Sequence, residues 1–387
     1  MTVTYLDHAA STPMRPEAIE AMLPFLDGSY ANPSGSHRFA RQARKAVDES
    51  RDRIADVLGC RPNEVVFTGC GTESDNMAVG GAVAAARLAG RAGVAVCPAA
   101  EHHAVLDVVE HGGGEVVGVD GIGHVDIDEL AGVLDRLDAS GRPADVVSVM
   151  TVNNEVGTVT DIGAVAAVVR RHAPDAWLHT DAVQAPSWVD LRHITPSVDL
   201  LALSAHKFGG PKGVGVLVER GRAAEHRVAP LIIGGGQERE RRSGTHNVAG
   251  IVAMTEAMVR TDVERDDECR RIAALRDQLV DRLCADLDDV VETVPRDRKV
   301  AGNAHVCIAG IESEALLFLL DEADVCASAA SACASGAMEP SHVLAAMGVD
   351  RSLALGALRL SVGHASTQAD VDRAVHVVVD AVTRLRR

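Results

Sequence analysis

Val198-Asp199-Leu200-Leu201-Ala202-Leu203-Ser204-Ala205-His206-Lys207-Phe208-Gly209-Gly210-Pro211-Lys212-Gly213 is the stretch whose reading decides the fold. An apolar run suited to a buried strand stops at Ser-Ala-His-Lys and then breaks into a Gly/Pro-rich turn, so one lysine stands at the carboxyl end of a strand. Open α/β sheets carry their chemistry at that end. Lysine is rare in this chain: only Lys45, Lys207, Lys212 and Lys299 occur, the other strong bases being arginine. Lys45 falls on a charged helical face, Lys212 within the turn, and Lys299 in the charged run Arg296-Asp297-Arg298-Lys299. Lys207 alone has an apolar strand behind it, which makes it the candidate reactive amine.

Outward from this point, strand-like and helical runs alternate: strands at Glu64–Thr68, Val94–Cys97, Glu115–Val119, Asp145–Val152, Trp177–Thr180 and Leu200–Ser204, with helices from His103, Asp128 and Ile162 between them. Repeated β-then-α order predicts an α/β fold with a mainly parallel, seven-stranded-type sheet covered on both faces. Before it come a small-residue segment at 5–12 and helices from Pro16 and from His37 to Leu58. After it, a long helical pattern from Val248 to about Leu287 leads into strands near 289–293 and 304–309, a helix capped at Ser313, a helix from His342, a strand near Arg359 and a last helix capped at Thr367. Residues 1–255 are thus expected to form the large domain and 256–387 a smaller α+β domain, on which the N-terminal segment can pack.

Polar residues gather in the loops that follow the strands: Glu101-His102-His103, Asn153-Asn154-Glu155, His179-Thr180-Asp181-Ala182-Val183-Gln184 and Ser204-Ala205-His206-Lys207. Placed at strand ends on one edge, they converge on one pocket. The turn Gly69-Cys70-Gly71-Thr72 runs from a strand into an Ala/Val-rich helix, an arrangement that aims free backbone N–H groups and a positive dipole end at an anion; plain capping is the competing reading of that turn. The Gly/Arg-rich stretch from Gly234 to Asn247 reads as a mobile, charged loop.

A net charge of -17, with the Arg/Lys-rich stretches interleaved with acids, disfavours direct nucleic-acid binding. No apolar run is long enough to span a bilayer and no N-terminal signal pattern is present, so a soluble cytoplasmic protein is expected. The eight cysteines include no C-x-x-C pair, which favours free thiols over a disulfide frame or a zinc site. Cys333 stands apart: its surroundings, Ser331-Ala332-Cys333-Ala334-Ser335-Gly336, are too small to pack a core strand and predict a mobile loop. Cys326 reads as a buried structural thiol.

Taken together, Tyr5-Leu-Asp-His-Ala-Ala10, Asn32-Pro33, Gly71-Thr-Glu-Ser-Asp-Asn76, Glu101-His102, Val152-Asn-Asn-Glu-Val-Gly157, His179-Thr-Asp-Ala-Val-Gln184, Ser204-Ala-His-Lys207, Arg242-Ser-Gly-Thr245 and the stretch around Cys333 with its following Glu-Pro-Ser-His-Val-Leu344 resemble, nearly end to end, the NifS/IscS-type cysteine desulfurases. These are class V aminotransferase-like, fold-type I pyridoxal-phosphate enzymes. The resemblance implies that Lys207 holds pyridoxal 5'-phosphate and moves a proton, that Asp181 pairs with the ring nitrogen, and that His102 stacks on the ring and acts as acid or base. It further implies that Gln184 and Asn154 flank the ring, that Gly71, Thr72, Ser204 and His206 hold the phosphate, and that Thr245 does so from a second subunit, so that the enzyme is a homodimer. Arg359, with Asn154 beside it, is implied to bind the carboxylate of L-cysteine, and Cys333 to take its sulfur as a persulfide for an acceptor protein. No metal site is expected beyond a transient iron–sulfur cluster on Cys333.

The chain ends at Arg387, directly after its last helix, without the tail that some members of the family extend toward an iron–sulfur scaffold. The expected acceptor is therefore either that scaffold, in iron–sulfur cluster biogenesis, or a dedicated thiolation partner. A selenocysteine or C–S lyase of the same fold is the nearest alternative activity. The pattern also departs from the family at Gly69-Cys70-Gly71, which brings an extra thiol to the phosphate turn.

Overall fold

The structure is a computed structural model that describes residues 3–221, 228–329 and 340–387. Cys333, with its whole surrounding loop, lies outside the described residues. In chain order the elements are β1 (Thr4–Tyr5), α1 (Pro16–Leu26), α2 (Arg38–Leu58), β2 (Val65–Thr68), α3 (Gly71–Leu88), β3 (Val94–Pro98), α4 (His103–His111), β4 (Glu115–Val117), α5 (Ile127–Ala139), β5 (Ala144–Ser148), α6 (Ile162–His172), β6 (Trp177–Asp181), β7 (Leu200–Ser204) and β8 (Gly215–Glu219). There follow α7 (Val248–Asp286), β9 (Val290–Glu292), β10 (Asn303–Ile308), α8 (Ser313–Glu322), β11 (Val325–Cys326), α9 (His342–Ala346), α10 (Arg351–Ala354), β12 (Ala357–Ser361) and α11 (Gln368–Leu385).

The main sheet has seven strands in the order β2-β8-β7-β6-β5-β3-β4. All pairings are parallel except those of β8, which runs antiparallel to both neighbours. Every residue of β5, β6 and β7 is buried, as expected for central strands covered on both faces, and this explains why Leu200–Ser204 reads as a continuous apolar run. The 39-residue α7 crosses between two apolar cores. Ile251, Met254 and Met258 belong to the core that packs one face of the main sheet. Ile272, Leu279 and Leu283 belong to the core formed by the antiparallel sheet β12-β10-β9, α8 and α11.

The segment at 5–12 is more than an entry to the first helix. β1 pairs in parallel with β11, and Leu6 is buried in the second core. From there the chain runs past the end of β7 to α1, so residues 7–12 lie against the strand ends of the main sheet.

Two local expectations are corrected and one is refined. Ser313 is not the cap of α8: that position is Glu312, which makes no side-chain cap, and the Ser313 hydroxyl lies near the carbonyls of Leu355 and Ala357, 2.7 Å from each. Lys299, expected only as part of a charged run, is buried, because that run folds against α7 and the lysine pairs with Glu292 at 2.8 Å. Cys326, expected buried, is half-exposed on the short edge strand β11. The Gly/Arg-rich loop is knitted to the body by Glu238, whose carboxylate accepts from Arg51 (two bonds of 2.7 Å) and from the Phe67 N–H and is hydrogen-bonded to His246. These donors hold the Glu238 pKa down at about 2 against the opposing effect of burial.

Candidate active site

Lys207 sits in a single 3₁₀ turn that ends β7. Its ammonium donates to the carbonyls of Ala9 (2.6 Å) and Ala10 (3.0 Å), so the N-terminal segment forms one wall of the site. Desolvation lowers its pKa to about 8, helped by the Arg359 guanidinium and opposed by Asp181 and Asp7. Among the described residues, no carboxylate makes an ion pair with it. A cavity beside the amine is lined by Asn154, Gln184, Lys207, Asn303, Ser361 and His364.

Asp181 ends β6, one strand over, and is buried; its Oδ1 accepts from the Val183 N–H at 2.8 Å. Burial raises its pKa, while His102 and Lys207 oppose the shift. Beneath it lie two further buried acids, Asp75 and Glu101, each pushed well above the carboxylate range by burial and by the charge of Asp181. Three acids in one low-dielectric region favour a cation or an N–H donor beside Asp181. His102 caps α4, with Nδ1 accepting from the Ala104 N–H. The ring keeps an exposed surface, but desolvation by its surroundings lowers its pKa; Asp181 opposes that shift and Lys207 adds to it.

Gln184 donates through Nε2 to the Ala9 carbonyl at 2.8 Å. His206 is hydrogen-bonded to Ser11 at 3.3 Å, and burial together with Lys207 lowers its pKa to about 4, leaving it neutral. Ser204 is 2% exposed and, among the described residues, its hydroxyl has no partner. That hydroxyl lies 3.8 Å from where a Cβ on Gly71 would stand, and the same Cβ would come within 2.8 Å of Val183 Cγ2. Gly71 is therefore required by close approach, and it opens α3 beside an orphaned hydroxyl. With the N–H groups of Gly71 and Thr72 lacking intrahelical acceptors, this corner suits an anion.

Arg359, on β12, is 5% exposed. It donates to the Asn154 carbonyl (2.8 Å) and to Asp7 Oδ1 (2.8 Å), while its Nε is buried without a partner. It faces Lys207 from the second core, so the site is closed by both halves of the chain. Thr245 is exposed in the Gly/Arg-rich loop and is not brought to Lys207 within this protomer. Its loop is instead fixed by Arg242, which donates to Glu73 in the first turn of α3 at 2.7 Å.

Sequence reasoning gave no role to Asp7, Glu101 or Glu155. Glu101 is 0% exposed and accepts from the Met150 N–H at 2.5 Å; Glu155 is buried, accepts from the Ser341 hydroxyl, and has its pKa raised by burial to about 7. All three stood inside the quoted motif blocks, but the burial of Glu101 and Glu155 and the pairing of Asp7 with Arg359 depend on elements distant in sequence.

A basic amine without an ion-pair partner among the described residues, a buried acid at the next strand end and an anion corner at a helix start fit pyridoxal phosphate: Lys207 for its aldehyde, Asp181 for its ring nitrogen, and Gly71, Thr72, Ser204 and His206 for its phosphate. Comparison with known proteins agrees. The model of the aminotransferase class-V family matches residues 4–374. An IscS-like cysteine desulfurase of Mycobacterium tuberculosis is 43% identical, covering 100% of this chain and 98% of that protein. A solved NifS-like protein superposes with a TM-score of 0.90 at 31% identity, covering 99% of this chain and all of the other. A structure titled SspA in complex with cysteine matches 93% of this chain and 98% of its own at 30% identity, with a TM-score of 0.78.

Proposed function

The chain belongs to the class-V aminotransferase family, and from that premise we propose that it is a pyridoxal-phosphate-dependent cysteine desulfurase, converting L-cysteine to L-alanine and passing the sulfur on as a persulfide of Cys333. The observation that carries this reading is the setting of Lys207: an amine desolvated at a strand end, given only carbonyl partners, and facing Asp181 and Arg359. When bound, the cofactor draws electrons from the carbon atoms next to the substrate nitrogen.

The remaining work falls to the chain's own groups. Arg359 binds the substrate carboxylate through its guanidinium, whose two Nη atoms otherwise hold the Asn154 carbonyl and Asp7, with Asn154 beside it. Lys207 moves the proton at the α-carbon, for which a pKa near 8 suits it at neutral pH. His102 stacks on the ring and handles a second proton at the mouth of the site. The Cys333 thiolate takes the sulfur: an S–S bond forms as the substrate C–S bond breaks, and the electron pair left on carbon is protonated to give alanine.

We assign the cofactor to the domain of residues 1–255, and Arg359 and Cys333 to the domain of residues 256–387. Thr245 of the partner subunit would complete the phosphate site, which makes the working enzyme a homodimer. The protein acts in the cytoplasm and passes sulfur to an iron–sulfur scaffold or to a dedicated thiolation partner. Among the described residues, no helix is long and apolar enough to cross a membrane.

Quantifying alanine and protein-bound persulfide with L-cysteine, in wild type and Cys333→Ala, tests the reading. The variant should bind cysteine but form neither product. Pyruvate in place of alanine, undiminished in the variant, would indicate a lyase instead.

A further inference from the structure

The thiol introduced at Gly69-Cys70-Gly71 has no part in the reaction above, yet it stands at the phosphate corner. Cys70 is the N-cap of the 18-residue α3, in extended backbone (φ -174°, ψ 175°). Its carbonyl accepts from the hydroxyls of Thr68 (3.3 Å) and Ser74 (3.2 Å), which pins the residue. Its sulfur accepts from the Glu73 N–H at 3.4 Å, so the thiol lies over the first turn whose Gly71 and Thr72 N–H groups are free. The Glu73 carboxylate, which would repel an anion there, is engaged by Arg242 and by the Gly69 N–H. Ser204, buried and with an unpartnered hydroxyl beside Gly71, points independently to a ligand at this turn. Cys70 is exposed, whereas burial raises the thiol pKa of Cys60 to about 12 and shifts those of Cys97, Cys269 and Cys307 the same way.

We propose that Cys70 is a thiol-modification site built into the phosphate corner, so that an electrophile on its sulfur and the cofactor phosphate exclude one another. The inference rests on the reading of Gly71, Thr72 and Ser204 as the phosphate site. Its chemistry is a simple addition to an electron-poor alkene: a C–S bond forms as the C=C π bond breaks, and the thiol proton ends on the neighbouring carbon. The adduct then stands over the N–H groups that the phosphate needs. Modification of one surface thiol thereby controls cofactor loading without touching Lys207.

The test uses the full-length apo-protein and N-ethylmaleimide, read by the mass of the Cys70 peptide. Pyridoxal phosphate or inorganic phosphate should slow labelling of Cys70 about tenfold or more and leave the exposed Cys284 unaffected. Protein labelled at Cys70 should take up no cofactor, measured by its visible absorbance, and in Cys70→Ser maleimide treatment should no longer change uptake. Equal labelling of Cys70 with and without phosphate, or normal uptake by the labelled protein, overturns the inference alone. Untreated protein that takes up no pyridoxal phosphate overturns the cofactor reading and this inference with it.

Discussion

Lys207 and Lys299 are both withdrawn from water, and in both burial lowers the pKa, yet only one is set up for chemistry. The Lys299 side chain is 0% exposed and sits 2.8 Å from Glu292, which opposes the loss of charge stabilisation on burial. Lys207 is less deeply buried but finds only two backbone carbonyls, with the Arg359 cation acting against its own charge. Burial beside a countercharge produces a structural lysine; burial without an ion-pair partner produces a reactive amine. The two environments come from the turn at the end of β7, held against residues 9–10, and from the charged run folded onto α7.

The hardest test of this contrast is to exchange the roles. Lys207→Ala should lower alanine production by more than about a thousandfold and abolish covalent retention of the cofactor, whereas Lys299→Ala should leave both intact. Turnover and the mass of the borohydride-reduced protein read the two outcomes; comparable losses in both variants would erase the distinction.

Asp181→Asn, which removes the charge at the neighbouring strand end but keeps its shape, should cut turnover by roughly a hundredfold with little change in thermal stability. A loss confined to stability would mean that Asp181 is only a packing residue.

The pH dependence follows from sign. The lowered pKa of Lys207 leaves the amine mostly protonated at pH 6 and mostly neutral above about 8, so the rate at which apo-protein captures pyridoxal phosphate should rise about tenfold per unit below 8 and level off above it. Stopped-flow absorbance measures this, and a rise continuing to pH 10 would indicate an ordinary solvated lysine.

A smaller effect is expected at the paired lysine. Lys299→Ala removes one of the two cations on Glu292, leaving Arg296 at 3.1 Å, and should destabilise the fold by about 2 kcal/mol in urea unfolding. An acid extends the comparison. The Glu155 pKa is raised from 4.5 to about 7 by burial, with Ser341 and Arg359 opposing. Its protonated form is the one the fold prefers, so stability from this group is full at low pH and is lost as pH rises from 4.5 through 7. That slope is at most about 1.4 kcal/mol per unit, and Glu155→Gln should flatten it.

Much of the site was legible along the chain because its residues fall directly after strands, where chemistry and local structure share one sequence signal. Asp181 ends β6, Ser204 ends β7 and His206 and Lys207 follow it in the next turn; Thr72 lies in the first turn of α3 and His102 caps α4, each within a few residues of a readable apolar run. Glu101 and Glu155 were not assigned because nothing local shows that they are buried, and Asp7 because nothing local shows that it pairs with Arg359. The burial of Lys299 was not legible for the same reason: its charged run carries no local sign of the packing against α7 and the pairing with Glu292. The cap expected at Ser313 failed because the carbonyls of Leu355 and Ala357, more than forty residues away, occupy its hydroxyl.

The sequence by itself determined the alternation of strands and helices, the lysine at a strand end and the helix start that suits an anion, since all of these depend on neighbours within a turn or two. Tertiary structure alone decided that residues 7–10 wall the site, that Arg359 crosses from the second core to face Lys207, and that one buried lysine has a carboxylate partner while the other has none. The physical reason is that desolvation and countercharge are set by whatever packs around a group in space, and those neighbours come from segments up to about 350 residues away.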